Sequence, residues 1–128
     1  PERWALVADD GTVLTRGLIA PPELPRLSGV RAAGSPGVYL ADDSSALLSL
    51  LVLMPSDLHS RFSSLRRDSR GEIHGRLRNT QEVIFGDDKR LGAKIISLSA
   101  MLDHLNKENR TDDYIDVSYP EKPIVRNG

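Results

Sequence analysis

Five apolar residues, Leu91, Ile95, Leu98, Leu102 and Leu105, recur at steps of four, three, four and three. That spacing winds them into a single stripe along a helix and leaves its other faces polar. A helix that is apolar on one side has to bury that side against another element. The flanking segments indicate which kind. Before the stripe, Glu82-Val83-Ile84-Phe85 is rich in β-formers. After it, Tyr114 to Tyr119 alternates, with Ile115, Val117 and Tyr119 on one face and Tyr114, Asp116 and Ser118 on the other. A one-sided helix between two strands predicts a helix packed on a sheet. A strand that follows a helix can also pair in parallel with an earlier strand.

The rest of the chain supplies more strands and a second helix. Residues 3–16, RWALVADDGTVLTR, hold Asp9-Asp10-Gly11 between two apolar runs, which is a hairpin signal. Residues 18–37 are rich in proline and glycine and read as an irregular connection anchored by Leu24 and Leu27. Asp42-Asp43-Ser44 predicts a helix start. Leu47, Leu48, Leu51 and Met54 follow at helical spacing, and Pro55 ends that helix at Met54. Ser56-Asp57 offers a cap for a short helical turn reaching Phe62. Residues 65–86 read as an antiparallel meander, with turns at Arg70-Gly71 and Asn79-Thr80 and a bulge at Gly75. Asp87 is expected to cap the long helix, and residues 106–113 form a polar loop. The expected fold is α+β, a mostly antiparallel mixed β-sheet with two main helices packed on it and a C-terminal edge strand. One domain over residues 1–128 is expected, its sheet drawn from the opening hairpin, the meander and the last strand.

Composition removes several classes of function. The chain has no cysteine, which excludes disulfides, thiolate metal sites and a cysteine nucleophile. Its net charge is −1, against a chain-wide attraction to nucleic acid or anionic lipid. Arg66, Arg67, Arg70, Arg76 and Arg78 form a basic cluster, but no aromatic residue is interleaved with it as a nucleic-acid sheet reader would require. The longest apolar run, Ala46 to Met54, is far short of the ~20 residues that span a bilayer. The chain opens on Pro1-Glu2 without methionine, so it reads as a fragment with targeting segments upstream. His59, His74 and His104 sit on three different predicted elements, in neither HxxxH nor HxH spacing. The aspartate pairs at 9–10, 42–43, 87–88 and 112–113 all fall at turns or helix starts, where aspartate is expected for local reasons. There is no GxxxxGK[ST], GxGxxG or GxSxG motif. No catalytic, cofactor-binding or metal-binding residue is expected.

One resemblance covers nearly the whole chain. "EVIFGDDKRLGAKIISLSAMLDHL" followed by a polar loop and "YIDVSYPEKPIVR" resembles the extracytoplasmic C-terminal β-domain of the FtsQ/DivIB bacterial cell-division proteins. "RWALVADDGTVL" and Leu24-Pro25-Arg26-Leu27 are similar to the start of that domain. The resemblance implies a single-pass membrane protein: a cytoplasmic tail, one span and a POTRA domain, all upstream of this chain. The β-domain would lie on the extracytoplasmic face of the membrane at the division septum. It also implies a non-enzymatic scaffold without cofactors that binds division proteins of the FtsB/DivIC and FtsL type. In the resemblance a partner segment adds as a strand to the last strand of the domain. Carried onto matching positions, the partner-binding residues would be Tyr119, Glu121, Lys122, Ile124 and Val125, with Arg70 on a neighbouring strand. Pro120 and Pro123 would remove amide donors from that edge and limit self-pairing. Two other readings are a small extracytoplasmic cell-wall hydrolase, which needs convergent titratable groups, and a generic ligand-binding α+β domain, for which the 5% aromatic content is poor.

Overall fold

A computed structural model describes residues 4–8, 12–18, 24–28, 45–110 and 114–126. Strands β1 (Trp4–Val7) and β2 (Val13–Leu18) pair antiparallel as a hairpin, closed by a 2.9 Å bond from the Ala8 amide to the Thr12 carbonyl. Next come β3 (Arg26–Ser28), α1 (Ser45–Leu53), α2 (Ser56–His59), β4 (Phe62–Arg67), β5 (Ile73–Leu77) and β6 (Glu82–Gly86). Helix α3 (Leu91–Lys107), β7 (Tyr114–Asp116) and β8 (Ile124–Arg126) complete the order. The six strands β3 to β8 form one mixed sheet in sequence order. β3 pairs parallel with β4, β6 pairs parallel with β7, and the other joins are antiparallel.

The fold is α+β, as expected, and the α3 stripe does what its spacing requires. Leu91, Ile95, Leu98, Leu102 and Leu105 are all buried. They share one core with Leu65, Ile73, Leu77, Val83, Phe85, Ile115 and Val117 of the sheet and Leu47 and Leu50 of α1. α1 is apolar on nearly every face, so Val52 and Leu53 stay exposed. The opposite face of the sheet carries Ser64, Arg66, His74, Arg76 and Glu82, none of them fully buried. The helix between β6 and β7 makes the parallel join that the sequence allows.

Several expectations are corrected. The opening hairpin forms a separate two-stranded sheet instead of joining the main one. Within the proline-rich stretch, Arg26–Ser28 forms a strand, because its backbone finds β4 as a partner. Leu27 packs against the core, while Leu24 is exposed. α2 ends at His59 and has no side-chain cap, and Phe62 begins β4. The ladder irregularities adjoining β5 fall between Phe62 and Ser64 and between Ile73 and His74, so Gly75 is not the bulge. α3 starts at Leu91 behind a left-handed Arg90, and Asp87 does not cap it. β7 stops at Asp116, so Tyr119 leaves the face of Ile115 and Val117 and is 75% exposed. Pro120 and Pro123 lie in the connection between β7 and β8, not on the edge strand. The hairpin turn at residues 9–11 and the helix start at residues 42–44 lie outside the described residues.

Candidate functional site at the C-terminal edge

β8 is the last strand of the sheet. It pairs with β7 on one side through Tyr114–Arg126, Ile115–Val125 and Asp116–Ile124, and among the described residues no strand pairs with its other side. The chain reverses before it for local reasons. The Asp116 carboxylate accepts the Ser118 amide at 2.9 Å and the Ser118 hydroxyl at 2.6 Å, a turn that ends β7. Gly86, at φ 77°, makes room for it, since a Cβ there would lie 3.0 Å from Ser118 Oγ. Tyr119 to Lys122 then form a β-turn closed by a 2.9 Å bond from the Lys122 amide to the Tyr119 carbonyl. Pro120 occupies the second turn position, where its fixed φ fits. Pro123 biases Lys122 toward extended backbone and hands the chain to β8.

Two tethers fix this turn to α3. The buried Ser97 hydroxyl donates to the Pro120 carbonyl at 3.0 Å, and Arg90 pairs with Glu121. The Arg90 guanidinium holds the Glu121 carboxyl below the usual glutamate range, so it is ionised at neutral pH. Between the tethers lies an open groove of about 260 Å³ lined by Arg90, Ala93, Ile96, Ser97, Pro120 and Glu121.

Tyr119, Glu121, Lys122, Ile124 and Val125 thus come together on one hairpin. Tyr119 and Ile124 project apolar surface into solvent, at 75% and 43% exposure. Glu121 and Lys122 are exposed at the turn, and half-buried Val125 packs on the core. Arg70 stands apart. It sits in the β4–β5 turn, and β6 and β7 intervene between β5 and β8, about 14 Å at ordinary strand spacing.

The start of α3 depends on a residue whose role the sequence reading passed over. Lys94 is buried, and its Nζ donates to the Asp87 carboxylate at 2.7 Å and to the Asp87 carbonyl at 3.0 Å. The Asp87 carboxylate also accepts the Lys89 amide at 3.0 Å. Lys94, followed by the Lys89 amide, holds the Asp87 carboxyl below its usual range. The signal was in the spacing: Lys94 falls three residues after Leu91 and four before Leu98, inside the apolar stripe. Arg90 and Ser97 were missed because their partners lie in a turn 31 and 23 residues further on.

The arginine cluster is dispersed among local acceptors. Arg66 pairs with Glu82 at 3.3 Å, Arg67 donates to the Gly71 carbonyl, Arg76 to the Thr80 carbonyl and Arg78 to the Ser60 carbonyl. The three histidines stand on α2, β5 and α3.

The family described as "Cell division protein FtsQ/DivIB, C-terminal" matches residues 2–118. No curated protein matches the chain. The family match runs through β7, and the turn and β8 follow it directly. With that match over most of its length, the chain belongs to the FtsQ/DivIB family of cell division proteins, as its C-terminal domain.

Proposed function

We propose that this domain is a non-enzymatic divisome scaffold that binds a partner's extended segment on the open side of β8, helping to assemble the septal cell-wall synthesis machinery. The partners are division proteins of the FtsB/DivIC and FtsL type. The domain works on the extracytoplasmic face of the membrane at the septum, anchored by an upstream span. The carrying observation is the short edge strand itself, unpaired on one side among the described residues, with exposed Ile124 on it and exposed Tyr119 in the turn before it. A partner strand would gain main-chain hydrogen bonds along β8, with Tyr119, Ile124 and Val125 giving apolar contact and Glu121 and Lys122 giving charge selectivity. Arg70 belongs to a separate contact, since three strand spacings part it from β8.

The test is a calorimetric titration with a synthetic extracytoplasmic segment of an FtsB- or DivIC-type partner. Tyr119→Ala is expected to weaken binding about tenfold, or ~1.4 kcal/mol. Removing residues 120–128 is expected to abolish binding while circular dichroism still reports a folded domain. Unchanged affinity in both variants would sink the reading.

A further inference from the structure

The β4–β5 hairpin assembles a set of side chains that the edge reading leaves unused. Asp68, Glu72 and His74 each offer one ligand atom, and these atoms lie within 4.8 Å of one another. Glu72 and His74 are two residues apart, which puts them on the same side of the chain as it enters β5. The hairpin turns Asp68 to face them. We propose that Asp68, Glu72 and His74 form a binding site for a divalent transition-metal ion of the zinc class, bound through His74 Nε2 and the two carboxylates.

Three features support this. The first is the Asp68 carboxylate, which is already oriented. Its Oδ1 accepts the amides of Arg70 at 2.9 Å and Glu72 at 3.0 Å, leaving Oδ2 directed at His74 Nε2, 2.9 Å away. The second is the histidine ring. The Asp68–His74 bond engages one ring nitrogen only. The other, Nδ1, is buried without a hydrogen-bond partner, 3.5 Å from the Glu82 carboxylate. If Nε2 carries the hydrogen, the Nδ1 lone pair faces that carboxylate. A cation on Nε2 moves the ring hydrogen to Nδ1 and makes it a donor toward Glu82, the outer carboxylate that orients a metal-bound histidine. The third is local charge. The two ligand carboxylates suit a dication, while Arg66 is engaged by Glu82 and Arg67 by the Gly71 carbonyl.

An imidazole in the set favours zinc, cobalt or nickel over calcium or magnesium, which prefer oxygen alone. Tetrahedral metal–ligand bonds of about 2.0–2.2 Å hold the donor atoms roughly 3.4 Å apart. Asp68 and His74 must therefore open from their 2.9 Å contact as the metal replaces the shared hydrogen, and the exposed Glu72 side chain must turn inward. Three ligands with Glu72 exposed make an open site, so affinity below that of a closed four-ligand structural site is expected.

The experiment titrates zinc chloride into the chain, read by calorimetry and by nitrogen-15 NMR of the imidazoles. The expected result is one saturable equivalent with a shift at His74 Nε2. His74→Ala and Asp68→Asn should each weaken binding at least tenfold, and Glu82→Gln should weaken it severalfold. His104→Ala removes the exposed His104–Glu108 pair and should leave affinity unchanged. Millimolar magnesium should not compete. Absence of saturable binding, or binding that survives His74→Ala or perturbs only His59 or His104, overturns the site. If a variant fails to fold, the imidazole spectrum of the unaltered chain decides.

Discussion

Gly75 has no side chain because Phe62 occupies the space one would need. A Cβ at position 75 would lie 2.5 Å from the Phe62 ring and 3.0 Å from Leu65 Cδ2. Both neighbours are fully buried, and the Phe62 ring packs against Phe85 at 6.0 Å. Gly75→Ala should therefore destabilise the domain by about 1–3 kcal/mol through overpacking, seen as a lower urea midpoint at unchanged slope. Lys94 presents the opposite problem, a charge inside the apolar stripe. Lys94→Ala should cost about 1–3 kcal/mol, since it removes two hydrogen bonds and the packing of the buried stem. The partner makes this interaction pH-dependent. The folded carboxyl of Asp87 is depressed below its unfolded value. The stabilisation is therefore complete above the unfolded value, about pH 4, and is lost as pH falls through the folded one. Urea midpoints at stepped pH should fall more steeply below about pH 4 in the unaltered chain than in Asp87→Asn.

At the scale of elements, α3 serves two ends. Its stripe roofs the sheet, and its first turns hold the turn that leads into β8. Leu98 is fully buried, so Leu98→Ala should cost about 2–5 kcal/mol in chemical denaturation. Ser97→Ala acts differently. It removes the hydroxyl that holds the Pro120 carbonyl but leaves the stripe intact. It should cost only about 1 kcal/mol of stability. On the proposed function it should weaken partner binding severalfold, because β8 would start from a looser turn. The β7–β8 hairpin also explains the prolines. Read as one strand, residues 114–126 contain two residues that a sheet cannot use. Read as two strands and a turn, Pro120 sits where a turn accepts it, and Pro123 precedes a new strand.

Across the whole molecule, stability should follow the sheet order. β4, β5 and β6 are each paired on both sides and lie over the core, whereas β8 is paired on one side and the β1–β2 hairpin forms its own sheet. Among the described residues the hairpin meets β3 where the Arg26 guanidinium lies 5.2 Å over the Trp4 ring. Amide hydrogen exchange should therefore be slowest in β4–β6 and α3 and fastest in β8, β1 and β2. A uniform exchange rate across these elements would contradict that gradient. Much of this architecture was legible in the residues. The four-three-four-three stripe fixed α3 and its buried face. Alternation and turn residues located β5 and β6, and the closing motif carried the family resemblance. These features are local, because helical period, strand alternation and turn chemistry depend on residues a few positions apart. Only the tertiary structure decided that Arg26–Ser28 is a strand, since three residues become one only when β4 offers its free edge. It also decided that Glu121 pairs with Arg90, that Lys94 is buried, and that His74 lies between Asp68 and Glu82. In each case the partner is brought by a chain reversal whose register the intervening residues do not encode, so the contact exists only once the sheet has assembled.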